Sequence, residues 1–316
     1  CERAPTARGP HRPPDMETPM LQGLIWLAQN IALGFYHIAY AVTHPGQWLN
    51  WDDPEALIRF IYYGGSVELL FAVLDIVLVL TVLGMIFPRF MWAMVRGLEG
   101  FANGVGRAVA WIGLLMVFQQ IVIIFLQSVF RLGEITVAPI GLGFTQSVGW
   151  FSEELKLYNA MVVALCVTYT FVQGGHVRVD LVYSAVGHRT KRVIDMAGAL
   201  LFMLPVTVLT WMYAWFFLWR NLITPKVSAS DKLDLMLKKA RIVKWNVETI
   251  GFSPNGFNAY FLFKILMVAF TALVFLQAIA FFYRSWLEWR EGPESADKYL
   301  DRDTLGAGEE AFEGTH

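Results

Sequence analysis

Residues 108–130 read AVAWIGLLMVFQQIVIIFLQSVF, a stretch without one charged side chain. A helix needs about 20 mostly apolar residues to cross the hydrocarbon core of a bilayer, so this segment can span on its own. Residues 196–219 and 265–283 are uncharged blocks of the same kind, and 69–87 holds only Asp75. Two candidates are weaker. Residues 20–43 carry no charge but include Gln22, Gln29, Asn30 and His37, and 157–172 reaches spanning length only if 151–156 extends it. The whole composition agrees with six spans. Of the 316 residues 56% are apolar and 16% charged, against about 25% charged in soluble domains. A soluble fold of this length has too little interior for so many uninterrupted apolar blocks. The expectation is an all-α integral membrane protein, a helical bundle of about six transmembrane helices.

Charge and cysteine usage exclude other classes. The formal net charge is −1, so no basic field exists to attract nucleic acid. Cys1 and Cys166 are the two cysteines, which gives neither a disulfide framework nor a thiolate metal site. No cofactor or metal is expected.

The spans carry punctuation. His44-Pro45-Gly46 ends the first and Pro88 the second, because proline cannot continue a helix. Ser152 before Glu153 and Glu154 reads as an N-cap with acids in the first turn. Ser253-Pro254-Asn255-Gly256 reads as a turn before the last span. Orientation follows from Lys and Arg near the span ends. Arg3, Arg8 and Arg12 precede the first span, Arg89, Arg96 and Arg107 follow the second, and Arg178, Arg189, Lys191 and Arg192 follow the fourth. The first loop has only acids: Asp52, Asp53 and Glu55. Alternation puts both termini in the cytoplasm of a multi-pass inner-membrane protein. Residues 221–257 argue against it, since parity places them outside although they hold Lys226, Lys232, Lys238, Lys239, Arg241 and Lys244. The opening residues 1–19 are Pro- and Arg-rich and read as an unfolded arm, with Met16 or Met20 expected as the true start. The acidic residues 286–316 read as a mobile cytoplasmic tail.

Polar side chains within the spans mark surfaces that meet protein rather than lipid. Glu68 and Asp75, seven apart, fall within about 20° on a helix, with Gly64, Gly65 and Ala72 on the same stripe. An acidic contact to another helix or subunit is preferred to an ion or proton site, because no second intramembrane charge converges on the pair. Gln120, Gln127 and Arg131 share one face of the third span. Gln22, Gln29, Asn30 and His37 share one of the first.

Between spans four and five stands Gln173-Gly174-Gly175-His176-Val177-Arg178-Val179-Asp180. Two glycines break the helix, and Arg178 and Asp180 then alternate with apolar residues, the period of a short extended segment. The turn suits lipid phosphate or an acidic protein surface. No G-x-x-x-x-G-K-[ST] occurs to support a nucleotide loop.

The run GGHVRVDLVYSAVGHRTKRVIDMAGALLFMLPV, residues 174–206, resembles the signature of the DctQ-like small membrane subunit of tripartite ATP-independent periplasmic (TRAP) transporters. The helix with Gln120, Gln127 and Arg131, the Phe151-Ser152-Glu153-Glu154 entry and the last two spans are similar to the rest of that family's four-helix core. The resemblance covers about residues 108–285. It departs from the pattern in two added spans, within 20–107, and in a long loop after span five with a basic, helix-compatible stretch at 231–244.

The resemblance implies a small permease subunit that scaffolds a large DctM-like permease in ion-gradient-driven uptake of a small organic acid, delivered by a periplasmic binding protein. It implies no enzyme activity and assigns no substrate residue here, in keeping with the lack of an inverted repeat or a broken mid-bilayer helix. Gln120, Gln127, Arg131, Glu153, Glu154, His176, Arg178 and Asp180 would meet the large subunit or lipid, and Glu68 and Asp75 would anchor the added helices. Lys226, Lys232, Lys238, Lys239, Arg241 and Lys244 would touch the binding protein. A haem-bearing membrane anchor of a redox enzyme is the alternative, and would need histidines facing each other on two helices. A self-sufficient channel or carrier is a third reading.

Overall fold

The computed structural model describes residues 18–137, 144–174, 183, 186–249, 256–296 and 298–301. Helix α1 (Thr18–Thr43) stops where Pro45 intervenes, and a short α2 (Gly46–Leu49) follows. Helix α3 (Pro54–Gly64) starts with proline at its first position and the Asp53 side chain accepting from Glu55 N at 3.1 Å. Such a cap satisfies an orphan amide. The chain then breaks at Gly65, and Ser66 caps α4 (Val67–Ile86) by accepting from Leu69 N.

Helix α5 (Pro88–Ser128) has 41 residues. At 1.5 Å per residue it is about 60 Å long, twice the hydrocarbon thickness. Its charges divide it. Residues 88–107 hold Arg89, Arg96, Glu99 and Arg107, whereas 108–128 hold none. In the charged half the buried positions are Met91, Trp92, Val95, Glu99, Ala102, Asn103 and Gly106, a one-sided helical stripe. The arginines expected in a connection are therefore on a helix. The expected domain boundary at 107/108 falls inside it.

Strands β1 (Glu134–Val137) and β2 (Phe144–Ser147) form an antiparallel hairpin that hydropathy did not announce. Ser147 caps α6 (Val148–Val172) by accepting from Trp150 N at 3.2 Å. The N-cap is thus Ser147 and not Ser152, and Glu153 and Glu154 lie in the second turn. The next span begins earlier than its apolar block. Helix α7 (His188–Gly198) runs through a π-helical turn, Ala199–Met203, into α8 (Leu204–Trp219). The turn precedes Pro205, whose missing N–H leaves the Leu201 carbonyl without its i+4 donor, and a wider turn accommodates that loss.

The long loop is structured. Strands β3 (Ile223–Thr224) and β4 (Lys244–Trp245) pair around helix α9 (Leu233–Ala240). Helix α10 (Phe261–Glu291) then packs against α5, α6, α7 and α8, whereas α1 lies on α4. Among the described residues five helical segments are long and apolar enough to cross a membrane: α4, α5, α6, α7 through α8, and α10. Helix α1 is also long enough, but Gln22, Gln29, Asn30 and His37 dilute its apolar character.

Two buried clusters sit at opposite ends of the helices. At the tryptophan end, Leu57, Ile58 and Ile61 of α3 meet Trp215, Phe216 and Trp219 of α8, with Ile223, Val227, Met236 and Ala240. At the arginine end, Met91, Trp92 and Val95 of α5 meet Ile279, Tyr283 and Leu287 of α10.

Trp211 and Trp215, one turn apart on α8, donate to Gly64 O at 2.9 Å and Ile61 O at 2.8 Å. These carbonyls belong to the last turn of α3, which has no further turn to satisfy them. A Cβ at Gly64 would overlap the Trp215 ring and one at Gly65 the Phe216 ring. The two glycines therefore face α8, not the Asp75 stripe expected for them, because the break at Gly65 and Ser66 separates α3 from α4. Replacing Gly64 with Ala is expected to cost about 1–3 kcal/mol through overpacking. Thermal unfolding of the detergent-solubilised chain reads this as a lowered midpoint, with Gly100→Ala, a site inside α5 with open space around it, as a control whose midpoint is not lowered.

Candidate functional site

The expected site residues do not converge. Asp75 is fully buried against α1, where its carboxyl touches Gly34, and neither oxygen has a hydrogen-bond partner among the described residues. Its position fixes the α1–α4 seam together with the edge-on pair of Trp26 and Phe71, 5.6 Å between centroids. Glu68, half-buried, lies in the first turn of α4, where the helix dipole favours an acid. Burial pushes the hydroxyls of Tyr62 and Tyr63 up from their ordinary values, and the Glu68 carboxylate adds to both shifts.

Glu153 and Glu154 make contacts within the chain. Glu153 Oε2 accepts from Phe257 N at 3.0 Å, so it positions the chain entering α10. Glu154 accepts from Gln119 Nε2 of α5 and from the Tyr158 hydroxyl, each at 3.1 Å. The amide that reaches across the α5–α6 contact is thus Gln119. Gln120 is half-buried and Gln127 exposed, and Arg131 lies past the end of α5 with φ 51°. Gly106 completes this contact, since a Cβ there would overlap Tyr169. His176, Arg178 and Asp180 lie outside the described residues, as does the 253–255 part of the expected turn.

The basic residues of the long loop surround α9. Lys232, Lys238, Arg241 and Lys244 are exposed. Lys226 pairs with Glu248 at 3.9 Å, and the half-buried Lys239 with Asp231 at 3.6 Å.

The densest charge constellation was not expected. Arg284 of α10 donates from Nε to Glu99 Oε1 at 2.6 Å and from Nη2 to Glu99 Oε2 at 2.5 Å, a bidentate pair. Its Nη1 donates to Lys298 O at 3.1 Å and lies 3.4 Å from Glu288 Oε1. Glu288 pairs with Arg192 of α7 at 2.6 Å, and Arg192 donates to Asp195 at 3.1 Å. The Tyr183 hydroxyl donates to the same Asp195 oxygen at 2.9 Å, and His188 Nε2 to Glu288 O at 3.3 Å. Glu99, Arg284 and Glu288 are all buried. The alternation of acid and base lets each charge offset the desolvation of its neighbour.

The residues after α10 extend this network. Asp301 accepts from Asn103 Nδ2 through its backbone oxygen at 2.7 Å and from Arg107 Nη2 through Oδ1 at 3.1 Å. Gln173 Nε2, at the end of α6, donates to Asn103 Oδ1 and to Asp301 O, each at 3.1 Å. Trp92 Nε1 donates to Glu291 at 2.7 Å, and Arg96 and Lys298 both face the Tyr299 ring. The first residues of the expected mobile tail are therefore packed on the charged half of α5. The spacing of Arg284 and Glu288, one helical turn apart among aromatics, was the sequence signal for this network. Glu99 had none, since its partner is 185 positions away.

Breaking a buried pair by removing one partner leaves an uncompensated charge and costs about 3–5 kcal/mol. Arg284→Met and Glu99→Leu are each expected to destabilise the solubilised chain on that scale. The double variant, which removes both charges, is expected to recover most of the loss in a denaturant titration.

Residues 140–235 match the family model described as "Tripartite ATP-independent periplasmic transporters, DctQ component". No curated protein and no solved structure matches the chain. The matched stretch holds α6, α7, the π turn and α8 and ends at the start of α9. It is narrower than the stretch over which the sequence resembles the family, and α1 to α5 and α10 lie outside it. Over residues 140–235 the chain is thus similar to the DctQ component of such transporters, and further helices long and apolar enough to span precede the matched stretch.

Proposed function

We propose that the chain is the small permease subunit that scaffolds a large DctM-like permease, in uptake of a small organic acid driven by an ion gradient and supplied by a periplasmic binding protein. The family match over 140–235 carries this reading. The charge distribution supports an orientation with both termini in the cytoplasm of the inner membrane, because Arg89, Arg96, Arg107, Arg189, Lys191 and Arg192 all gather at the arginine end. The tryptophan end then faces the periplasm. Residues 20–107 supply the added helices, 108–285 the family core and 286–316 the acidic terminal segment, with 1–19 as an arm before them.

Several exposed groups suit partners. Gln127 stands among Ile121, Ile124, Phe125 and Phe130, all exposed on α5 or just past it. An amide on such a face is better covered by protein than by lipid. Gln120, Gln127 and Arg131 are therefore proposed to meet the large subunit or lipid, as are His176, Arg178 and Asp180, with Glu153 and Glu154 supporting that surface from within. Asp75 and Glu68 anchor α1 and α4. Lys226, Lys232, Lys238, Lys239, Arg241 and Lys244 present a basic surface to the binding protein, where charge chiefly sets the encounter rate.

Reconstitution tests the division of labour. Proteoliposomes holding this chain, the large permease and a loaded binding protein are expected to accumulate substrate under an ion gradient, and those lacking either membrane chain are not. Uptake by this chain alone would overturn the proposal. Reversing Lys232, Lys238, Arg241 and Lys244 to Glu is expected to slow uptake by roughly tenfold at limiting binding protein and low salt. An unchanged rate would remove the loop from that role without touching the scaffold reading.

A further inference from the structure

Lys264 takes no part in the contacts above. It is the fourth residue of α10 and is 6% exposed. Its Nζ stands 4.5 Å from the centroid of the Phe217 ring and 4.9 Å from that of Tyr260. Aromatic faces attract a cation, but an ammonium also carries three N–H donors. Among the described residues no oxygen accepts from it. Glu248 acts on it through space but is itself paired with Lys226 at 3.9 Å. The start of α10 adds the partial positive charge of a helix N-terminus. A lysine at a span end ordinarily extends its head to water. This one lies against two rings, its stem buried and its head left at the protein surface, and among the described residues its own chain offers the ammonium no acceptor.

The surroundings select the ligand. Phe217 lies on α8 between Trp215 and Trp219, whose rings join those of Trp51 and Trp245 at the same end. Tryptophan concentrates at the membrane–water boundary, the level at which phospholipid phosphates lie. Such a phosphate offers charged oxygens to the ammonium, and its acyl chains extend along the apolar, exposed parts of the neighbouring spans.

We propose that Lys264, between Phe217 and Tyr260 at the start of α10, binds the phosphodiester of a membrane phospholipid. The anion supplies the acceptors that the rings lack, and the rings exclude water that would weaken the pair. The site pins the entry of α10 at the interface and is separate from the partner surfaces proposed above.

Native mass spectrometry of the delipidated full chain, titrated with phosphatidylglycerol, tests the assignment. The unaltered chain is expected to retain one tight lipid, and Lys264→Met to bind it about tenfold or more weakly, the loss of one charge-assisted hydrogen bond. Methionine fills the space between the rings, so the lipid-free melting temperature checks folding. Lys264→Arg is expected to restore retention, and Lys264→Gln provides a second neutral variant should the methionine chain unfold. Equal retention of phosphatidylglycerol by a folded neutral variant would overturn the proposal. So would diacylglycerol binding as tightly as phosphatidylglycerol, which would assign the affinity to acyl chains. Displacement of the lipid by millimolar inorganic phosphate would assign the site to a free anion and overturn the lipid source.

Discussion

Arg284 is the constraint on which the arginine end depends. Its guanidinium grips Glu99 with two nitrogens and reaches Glu288 and the Lys298 carbonyl with the third. That single group ties α10 to α5 and to the chain that follows α10. Through Glu288 and Arg192 the tie continues into α7. A charge buried this deeply is tolerated only because its donors are met in the fixed fork geometry of arginine. Lysine would keep the charge but not the bidentate grip.

The opposite end is held by different means. There, indole N–H groups of α8 satisfy the last carbonyls of α3 while their rings cover its apolar face. A tryptophan thus performs two tasks at once, filling volume and answering a backbone acceptor. Glycine at positions 64 and 65 is what permits the rings to come so near. One end of the bundle is therefore specified by charge and the other by shape.

The spans were legible because burial in lipid demands an unbroken apolar length, and that demand is local. Residues 69–87 and 108–130 could be read without knowing any neighbour. The missed helix α3 had its signals too, Asp53 as cap and Pro54 at the first turn, but its apolar run was too short to stand out. Ser152 misled because a plausible cap with following acids also occurs inside a helix. Asp75 was expected to contact another helix or a subunit, and it lies against Gly34 of α1, while Gly64 and Gly65 were assigned to its stripe across the break at Ser66. The Glu99–Arg284 pair was illegible for a plain reason. Complementary charges far apart in the chain meet only through the packing of helices between them.

The central position of α10 bears on the order of events at synthesis. The helix that touches α5, α6, α7 and α8 leaves the ribosome after all four of them. The earlier spans must enter the bilayer as separately stable helices, each closing its own backbone hydrogen bonds, before the helix that joins them exists. Through that interval Glu99 waits without its guanidinium and Arg192 has only Asp195 of its own helix, and a chain interrupted before Arg284 would leave Glu99 without Arg284 and Arg192 without Glu288. Completion of the bundle thereby depends on α10: only a chain synthesised through that helix can close its charge ledger.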